Sequence, residues 1–190
     1  MKSIDLCGEW KLISQNGEKF NATVPGCVHT DLFNLDDIFL NDNSKNYQYV
    51  ENENWTYEKT FFAEDLSDNA FLVFDGLDTY CNIYLNGKKI GFADNMFIPH
   101  SFRADDFLRP GENTIRVEFL SPIEYVKDKP ALPGAFTTER LHTRRIQFSY
   151  GWDWAERLVT CGIYKPCCIE FRNKMKTDSV YIVTKNIDEY

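Results

Sequence analysis

The chain has 190 residues, enough for one domain with a hydrophobic core. Hydrophobic residues make up 43% of it, aromatic residues make up 15%, and the formal net charge is -8. Lys and Arg form no basic tract that could bind phosphates, which argues against nucleic acid or an anionic membrane as the partner. Neither the apolar segment of a signal peptide nor a run long enough for a transmembrane helix occurs, so we expect a cytoplasmic protein.

The first local signals in chain order predict a short helix and two strands. The stretch VHTDLFNL (28–35) is typical of a short helix with Thr30 near its start. The stretch WTYEKTF (55–61) alternates aromatic and polar side chains with the period of a half-buried strand. The apolar run in AFLVFDG (70–76) predicts a further strand that ends at Asp75 and Gly76.

Later in the chain the pattern is again that of strands. NIYLNGKKIG (82–91) predicts a hairpin, because Asn86-Gly87 suits a turn with positive φ. RPGENTIRVEF (109–119) begins with a turn and then alternates Ile, Val and Phe against Arg and Glu, and CCIEF (167–171) predicts a last strand. Short strands separated by turns predict an all-β antiparallel sandwich.

Two stretches depart from this pattern. Residues 121–162 show no clear alternation and are rich in proline and aromatic residues, which is typical of a functional loop within a β-domain. After Phe171, a polar link leads to SVYIVT (179–184), which resembles a strand. We therefore expect a sandwich over 1–173, and over 174–190 a linker with the first strand of a further domain that is truncated here.

The residues that could carry metal chemistry are dispersed. The sequence has three histidines and six cysteines but no C-x-x-C motif, so we expect no metal site and no cofactor. Six scattered cysteines in a cytoplasmic chain of this size favour free, buried thiols over disulfides. His29 has no evident nucleophile nearby in sequence and is expected to orient a carbonyl or carboxylate. Asp75 and Asp78, which flank Gly76-Leu77, are expected to form turns.

The stretch FSYGWDW (148–154) allows two interpretations from the residues alone. Composition favours a place in the core for Phe148, Tyr150 and Trp154, because aromatic residues of β-proteins are more often buried than exposed. Asp153 could then satisfy an indole N–H or a turn. Alternatively, the stretch is a surface that binds a polar ligand against an aromatic wall.

Several segments in order resemble the N-terminal sugar-binding domain of glycoside hydrolase family 2, in its β-mannosidase branch. They include VPGCVHTDL, VFDGLDTYCNIYLNGKKIG, LRPGENTIRVEFLSP and RRIQFSYGWDW, and the similarity runs from about Leu6 to Phe171. The segment around LDTYCNIYLNG is common to much of the wider family, whereas VPGCVHTDL and FSYGWDW are more particular to β-mannosidases. The resemblance implies a jelly-roll (galactose-binding-domain-like) β-sandwich with a long aromatic loop insertion.

The resemblance also implies an activity for a longer protein. In the family, a separate (β/α)8 barrel supplies the two catalytic glutamates of a retaining exo-acting hydrolase. The chain in hand has no such barrel, so it is expected to be catalytically inert, with the missing barrel of the same parent chain as its partner. Its exposed barrel-facing surface is expected to allow self-association.

The resemblance places the sugar-binding residues in the G-W-D-W loop. It implies that Trp152 forms a wall of the pocket for the terminal β-mannoside and that Asp153 accepts hydrogen bonds from sugar hydroxyls. Arg144, which precedes the motif, would hold Asp153 ionised or contact the sugar. The family commonly continues with Gly-Pro where this chain has Ala155-Glu156, so the resemblance does not define the course of the loop there.

Two other functions are compatible with the same residues. The chain could be a stand-alone carbohydrate-binding module, in which case it would bind mannose by itself. It could also be a structural domain of another family 2 glycosidase, such as a β-galactosidase or a β-glucuronidase, in which case Asp153 would not affect turnover.

Overall fold

Two antiparallel sheets form a β-sandwich in the computed structural model, which describes residues 2–64, 66, 69–131, 137–173, 177 and 179–188. Side chains from both sheets meet in one continuous core that includes Leu72 and Ile169 from one sheet and Leu12, Ile83 and Val117 from the other. This architecture confirms the predicted all-β antiparallel sandwich.

The smaller sheet has four strands, in the order β1-β12-β5-β8. These are β1 (Lys2–Asp5), β5 (Ala70–Phe74), β8 (His100–Arg103) and β12 (Cys167–Phe171). The larger sheet has six strands, in the order β3-β2-β4-β9-β6-β7. These are β2 (Gly8–Ile13), β3 (Lys19–Val24), β4 (Trp55–Ala63), β6 (Cys81–Leu85), β7 (Lys88–Ala93) and β9 (Gly111–Phe119). A hairpin of β10 (Tyr150–Trp152) and β11 (Ala155–Arg157) belongs to neither sheet.

The predicted alternation decides which side chains enter the core. In β9, Ile115, Val117 and Phe119 are fully buried whereas Arg116 is exposed. The strand β9 pairs with β4 along its whole length, and the rings of Tyr57 and Phe119 meet edge to face at 5.7 Å. Truncating an aromatic side chain of this kind costs about 3–5 kcal/mol, so these strands carry much of the stability of the domain.

The predicted hairpin between β6 and β7 is confirmed. Asn86 and Gly87 have φ values of 49° and 78°, as the tight turns that match the twist of paired strands require. The Asn86 side chain also accepts a hydrogen bond from the Thr114 N–H at 2.9 Å, which fastens the turn to β9.

The helices lie between the strands and are short. They are α1 (Val28–Leu32), α2 (Leu35–Ile38) and α3 (Ser44–Tyr47), together with 3₁₀ helices over Gln48–Asn52, Glu124–Val126, Glu139–His142 and Gln147–Ser149. Thr30 Oγ1 accepts a hydrogen bond from the Cys27 N–H at 3.2 Å, which confirms the predicted start of α1. Phe33 is extended and ends α1 three residues before the prediction. Within the described ranges, no helix is long and apolar enough to cross a membrane.

The prediction that Asp78 forms a turn is wrong. Its backbone exchanges two hydrogen bonds of 3.0 Å with Gly162, and its carboxylate forms a buried ion pair with Arg145. The short stretch from Asp75 to Asp78 around Gly76 suggested a turn, but an arginine 67 positions away compensates the buried charge of Asp78. Asp75 does lie in a bend, directly after β5.

The long segment 121–162 is attached to the sandwich at both of its ends. Ser121 Oγ donates to the Glu51 carbonyl at 2.5 Å, and Gly162 pairs with Asp78. Its residues 132–136 lie outside the described residues; the rest carries the β10–β11 hairpin and three of the 3₁₀ helices. The segment therefore presents a folded hairpin on a fixed base.

The end of the chain is exposed where it is described. Residues 179–188 have no regular secondary structure, and the side chains of Val180, Tyr181 and Ile182 are 74–91% exposed. Residues 174–176, 178, 189 and 190 lie outside the described residues. The assignment of 174–190 to a linker and the first strand of a further domain stays a prediction.

Candidate functional site

The G-W-D-W motif folds as a tight hairpin with an exposed tip. Tyr150 lies opposite Arg157 and Trp152 lies opposite Ala155, so Asp153 and Trp154 form a two-residue turn. Gly151 has a φ of 90°, which favours glycine, and a side chain there would meet the Arg157 Cβ at 3.3 Å. The motif thus needs its glycine to bring the two strands together below the turn.

The two indoles of the hairpin face solvent. Trp152 is 42% exposed and Trp154 is 77% exposed, and their ring centroids lie 5.7 Å apart at an angle of 57°. The Arg140 guanidinium lies 5.0 Å from the Trp152 ring centroid, a cation–π distance. Asp153 is exposed between the two indoles in sequence. The tip is therefore an aromatic surface with one carboxylate on it.

The core positions expected from composition are confirmed for one of three residues. Tyr150 is buried, with 2% of its surface exposed. The expectation for Phe148 and Trp154 is wrong, because these side chains are 56% and 77% exposed. Phe148 lies in a 3₁₀ helix and Trp154 in the turn of the hairpin, so neither side chain belongs to a strand with one buried face.

An open cleft of about 540 Å³ adjoins the hairpin. It is lined by both strands and the turn, and by Gln48 and Thr137. This volume lies in the range of small-ligand pockets, about 300–1,000 Å³. Another depression, of about 470 Å³, lies on β2, β3 and β4 and contains none of the predicted site residues.

A buried ion pair lies below the hairpin. Arg145 Nη2 donates to Asp78 Oδ2 at 2.8 Å, and only 1% and 7% of the two side chains are exposed. The Arg145 guanidinium also lies 5.5 Å from the ring centroid of Tyr150, the first residue of β10. Burial raises the pKa of the Asp78 carboxyl above its ordinary value, and Arg145 and the Thr79 hydroxyl oppose that shift.

Arg144 lies at the surface, next to this pair. Its side chain is exposed, and its carbonyl accepts a hydrogen bond from the Met96 N–H at 3.0 Å. Within the described residues, no ion pair joins Arg144 to Asp153. Of the two adjacent arginines, Arg145 is the one that supports the hairpin. A contact of Arg144 with sugar stays a prediction.

A second ion-pair network was not found from the sequence. Arg157, in β11, contacts both Glu51 and Glu139. The Glu51 and Arg157 positions are 106 residues apart, and no spacing rule links residues at that distance. They meet because the fold packs β11 against the 3₁₀ helix Gln48–Asn52.

His29 confirms its predicted contact with a carbonyl. Its Nε2 lies 3.3 Å from the Tyr47 carbonyl oxygen, and the ring is 5% exposed. Burial lowers the pKa of the imidazole, and the charge of Arg145 lowers it further. The residue is therefore a neutral support between α1 and α3.

The cysteines and acids form no metal centre within the part of the chain that the structure describes. No group of three or more His, Cys, Asp and Glu side chains there is close enough to hold an ion. All six cysteines are free thiols, as predicted. The expected burial is confirmed for Cys81, Cys161 and Cys167, whereas the other three are partly exposed.

Comparisons with known proteins agree with the fold and with the family that the sequence resembles. Residues 10–165 match the family described as "Glycosyl hydrolase 2 galactose-binding domain-like". The β-mannosidase of Bos taurus is 37% identical over 90% of this chain and 22% of its own length. β-Mannosidase B of Emericella nidulans is 36% identical over 78% of this chain and 19% of its own length.

A solved structure gives the same result. The β-D-mannosidase of Dictyoglomus thermophilum superimposes with a TM-score of 0.93 at 36% identity, over 99% of this chain and 25% of that one. A β-D-glucuronidase of the same organism shares the fold alone, with a TM-score of 0.50 at 22% identity. This chain spans about a fifth of the length of the curated relatives it matches. The resemblance seen in the sequence is thus confirmed: the chain belongs to the galactose-binding-like domains of glycosyl hydrolase family 2.

Proposed function

We propose that this chain is the N-terminal sugar-binding domain of a retaining exo-β-mannosidase, and that its β10–β11 hairpin forms a wall of the terminal-mannose pocket. The observation that carries the proposal is the exposure of Trp152 and Trp154 on either side of Asp153. The names of the relatives, which are β-mannosidases, support the choice of sugar.

The chemistry of the tip suits a pyranose. One face of a pyranose ring presents C–H groups that an indole covers well. The edge of the ring presents hydroxyls, which can donate hydrogen bonds to a carboxylate. Hydrogen bonds to an ionised acceptor are about twice as strong as neutral ones. We propose that Trp152 covers the apolar face, that Asp153 accepts from sugar hydroxyls, and that Arg144 contacts the sugar from the preceding segment.

The bond-breaking groups would come from outside this chain. A retaining glycosidase uses two carboxyl groups about 5–5.5 Å apart, one as acid/base and one as nucleophile. On the family resemblance, we propose that both lie in a barrel that closes over the hairpin tip. The isolated chain would then be inert and would bind mannose weakly, because it supplies one side of the pocket. No cofactor takes part.

The test is hydrolysis of a panel of aryl β-glycosides by the complete enzyme, with Asp153→Ala beside it. We expect selective cleavage of the mannoside. Losing hydrogen bonds from a charged group costs about 1.5–3 kcal/mol, which is roughly a 10- to 150-fold loss of kcat/KM. Asp153→Asn should lose less, because it retains a neutral acceptor.

The matched control is Asp106→Ala, since Asp106 is also exposed in a turn but lies beyond β8. We expect it to leave kcat/KM unchanged. A preference for the galactoside or glucuronide, or an unimpaired Asp153→Ala enzyme, would favour the structural domain of another glycosidase. Strong binding of mannose by the isolated chain would favour a stand-alone carbohydrate-binding module.

We further propose a cytoplasmic location and a following domain. Six free thiols fit a reducing compartment. The exposed apolar side chains of Val180–Val183 fit a strand that pairs within a further domain. Without that domain and the barrel, the chain is expected to self-associate, which sedimentation at increasing concentration would detect.

A further inference from the structure

Arg157 joins the sugar-facing hairpin to two carboxylates on different elements. Its Nε lies 3.0 Å from both oxygens of Glu51, and its Nη2 lies 2.8 Å from Glu51 Oε1. The same Nη2 donates to Glu139 Oε1 at 2.9 Å. The planar guanidinium therefore satisfies two acids at once, a geometry that a lysine ammonium does not reproduce.

This network is shielded from solvent. The side chain of Arg157 is 23% exposed, that of Glu51 is 9% and that of Glu139 is 22%. Burial opposes the charged form of Arg157, but the two carboxylates outweigh it and raise the pKa of the guanidinium. Charge-assisted bonds that are removed from water hold their geometry more strongly than surface pairs do.

Further contacts fasten β11 to the helical segment before β4. Gln48 Nε2 donates to the Arg157 carbonyl at 3.2 Å, and Ser44 Oγ donates to Glu156 Oε2 at 2.9 Å. The base of the hairpin is thus attached to α3 and to the 3₁₀ helix Gln48–Asn52.

The network also reaches the exposed indole. Glu139 begins the 3₁₀ helix Glu139–His142, and its neighbour Arg140 lies over the ring of Trp152 at 5.0 Å. Two sets of contacts therefore connect Arg157 to Trp152. One is the strand pairing of the hairpin, and the other runs through Glu139 and its neighbour Arg140.

We propose that Arg157 is a positioning residue, which through Glu51 and Glu139 sets the orientation of Trp152 and Asp153 toward the sugar. The proposal rests on the function proposed above. Arg157 itself lies at the base of the hairpin, three residues beyond the turn, where its guanidinium is paired with Glu51 and Glu139.

The first measurement is made on the chain itself. Its four tryptophans, labelled with 5-fluorotryptophan, give four fluorine resonances, which Trp→Phe variants assign. In Arg157→Gln and Arg157→Lys we expect the resonances of Trp152 and Trp154 to shift or broaden. The resonance of Trp10, which is buried in the core and donates to the Leu6 carbonyl, should not move.

The matched control is Arg172→Gln. Arg172 is 20% exposed, pairs with Glu170 at 2.6 Å, and directly follows β12, a strand of the smaller sheet. It resembles Arg157 in burial and pairing but does not touch the hairpin. Arg157→Gln and Arg172→Gln could lower the Tm by the same amount. A positioning role for Arg157 then predicts that the Trp152 resonance moves in Arg157→Gln and stays in place in Arg172→Gln.

The second measurement is a double-mutant cycle in the complete enzyme. We expect Arg157→Lys to lower kcat/KM by about tenfold, the change that corresponds to about 1.4 kcal/mol, and Arg172→Gln to leave it unchanged. In an Asp153→Ala background, Arg157→Lys should lower kcat/KM by less than it does in the intact enzyme, because one of the two residues that it positions is gone. Glu139→Gln, a milder change, serves if the Arg157 variants fail to fold.

The outcomes separate the two proposals. Unmoved Trp152 and Trp154 resonances, or additive losses in the cycle, would overturn the positioning role while leaving the proposed function in place. An unimpaired Asp153→Ala enzyme would overturn the proposed function, and the fluorine spectra would still decide whether Arg157 orients the tip.

Discussion

Breaking the buried pair of Asp78 and Arg145 should affect stability differently according to which partner is replaced. Both charges are almost fully withdrawn from water, with side-chain exposures of 7% and 1%. Arg145→Met leaves a carboxyl that can become neutral by binding a proton. Asp78→Asn leaves a guanidinium, which cannot lose its charge in a protein.

The expected magnitudes follow from this asymmetry. In Arg145→Met, the lost free energy of unfolding is at most the cost of protonating the Asp78 carboxyl, whose ordinary pKa is 3.8. At 1.36 kcal/mol per pH unit, that is about 4 kcal/mol at pH 7.0 and about 2 kcal/mol at pH 5.5. In Asp78→Asn we expect about 3–5 kcal/mol, the usual range for a buried unpaired charge, at both pH values.

The sign of the pH dependence is fixed by linkage. A carboxyl whose pKa is raised in the folded state binds more protons there than in the unfolded state, so its contribution is present at low pH and lost as pH rises. The pKa of His29, which burial lowers and Arg145 lowers further, also responds to the loss of Arg145. A His29→Gln background removes that second response.

The assay is urea unfolding at pH 7.0 and 5.5, with Asp78→Leu/Arg145→Met as the control. The double variant removes both charges and should be more stable than either single variant. A loss for Arg145→Met that is equal at the two pH values would refute the argument. So would a double variant that is no more stable than Asp78→Asn.

Two further predictions concern titratable groups in the sandwich. Because the pKa of His29 is lowered by burial, the unfolded chain binds more protons as pH falls below about 6.5, and stability should fall with it. His29→Gln should reduce that fall in urea unfolding from pH 7.5 to 5.5, and a slope of stability against pH that is unchanged by the substitution would contradict this. Burial raises the pKa of Cys161 and encloses its thiol, so iodoacetamide at pH 8 should modify it only in urea. Mass spectrometry should find native labelling confined to the three partly exposed thiols, which are Cys7, Cys27 and Cys168.

The strands that could be predicted from the sequence are those with a local pattern of alternating side chains or a recognisable turn. In β4 the aromatic side chains of Trp55, Tyr57 and Phe61, and in the second half of β9 those of Ile, Val and Phe, recur at every second or fourth position, because one face of each strand meets the core. Asn86-Gly87 likewise suits a turn with positive φ. By contrast, β1, β2 and β3 were not predicted. Most of their side chains are exposed, so the apolar half of the pattern is too short to recognise.

The candidate site divides in the same way. Its tip could be located from the sequence, because FSYGWDW is a contiguous motif that a family resemblance can identify. The ion pairs that support the hairpin could not be located from the sequence, because Arg145 and Asp78 are 67 residues apart and Arg157 and Glu51 are 106 residues apart. The exposure of Trp154 and Phe148 also escaped prediction, since it depends on where a strand of three residues begins and ends.

The sequence by itself determined the fold class, the central strands and the place of the aromatic motif, because each depends on neighbours in the chain. Only the tertiary structure decided which charges are buried together and which indoles are left in solvent. Compensation of a buried charge depends on distance in space, and chain folding alone sets that distance.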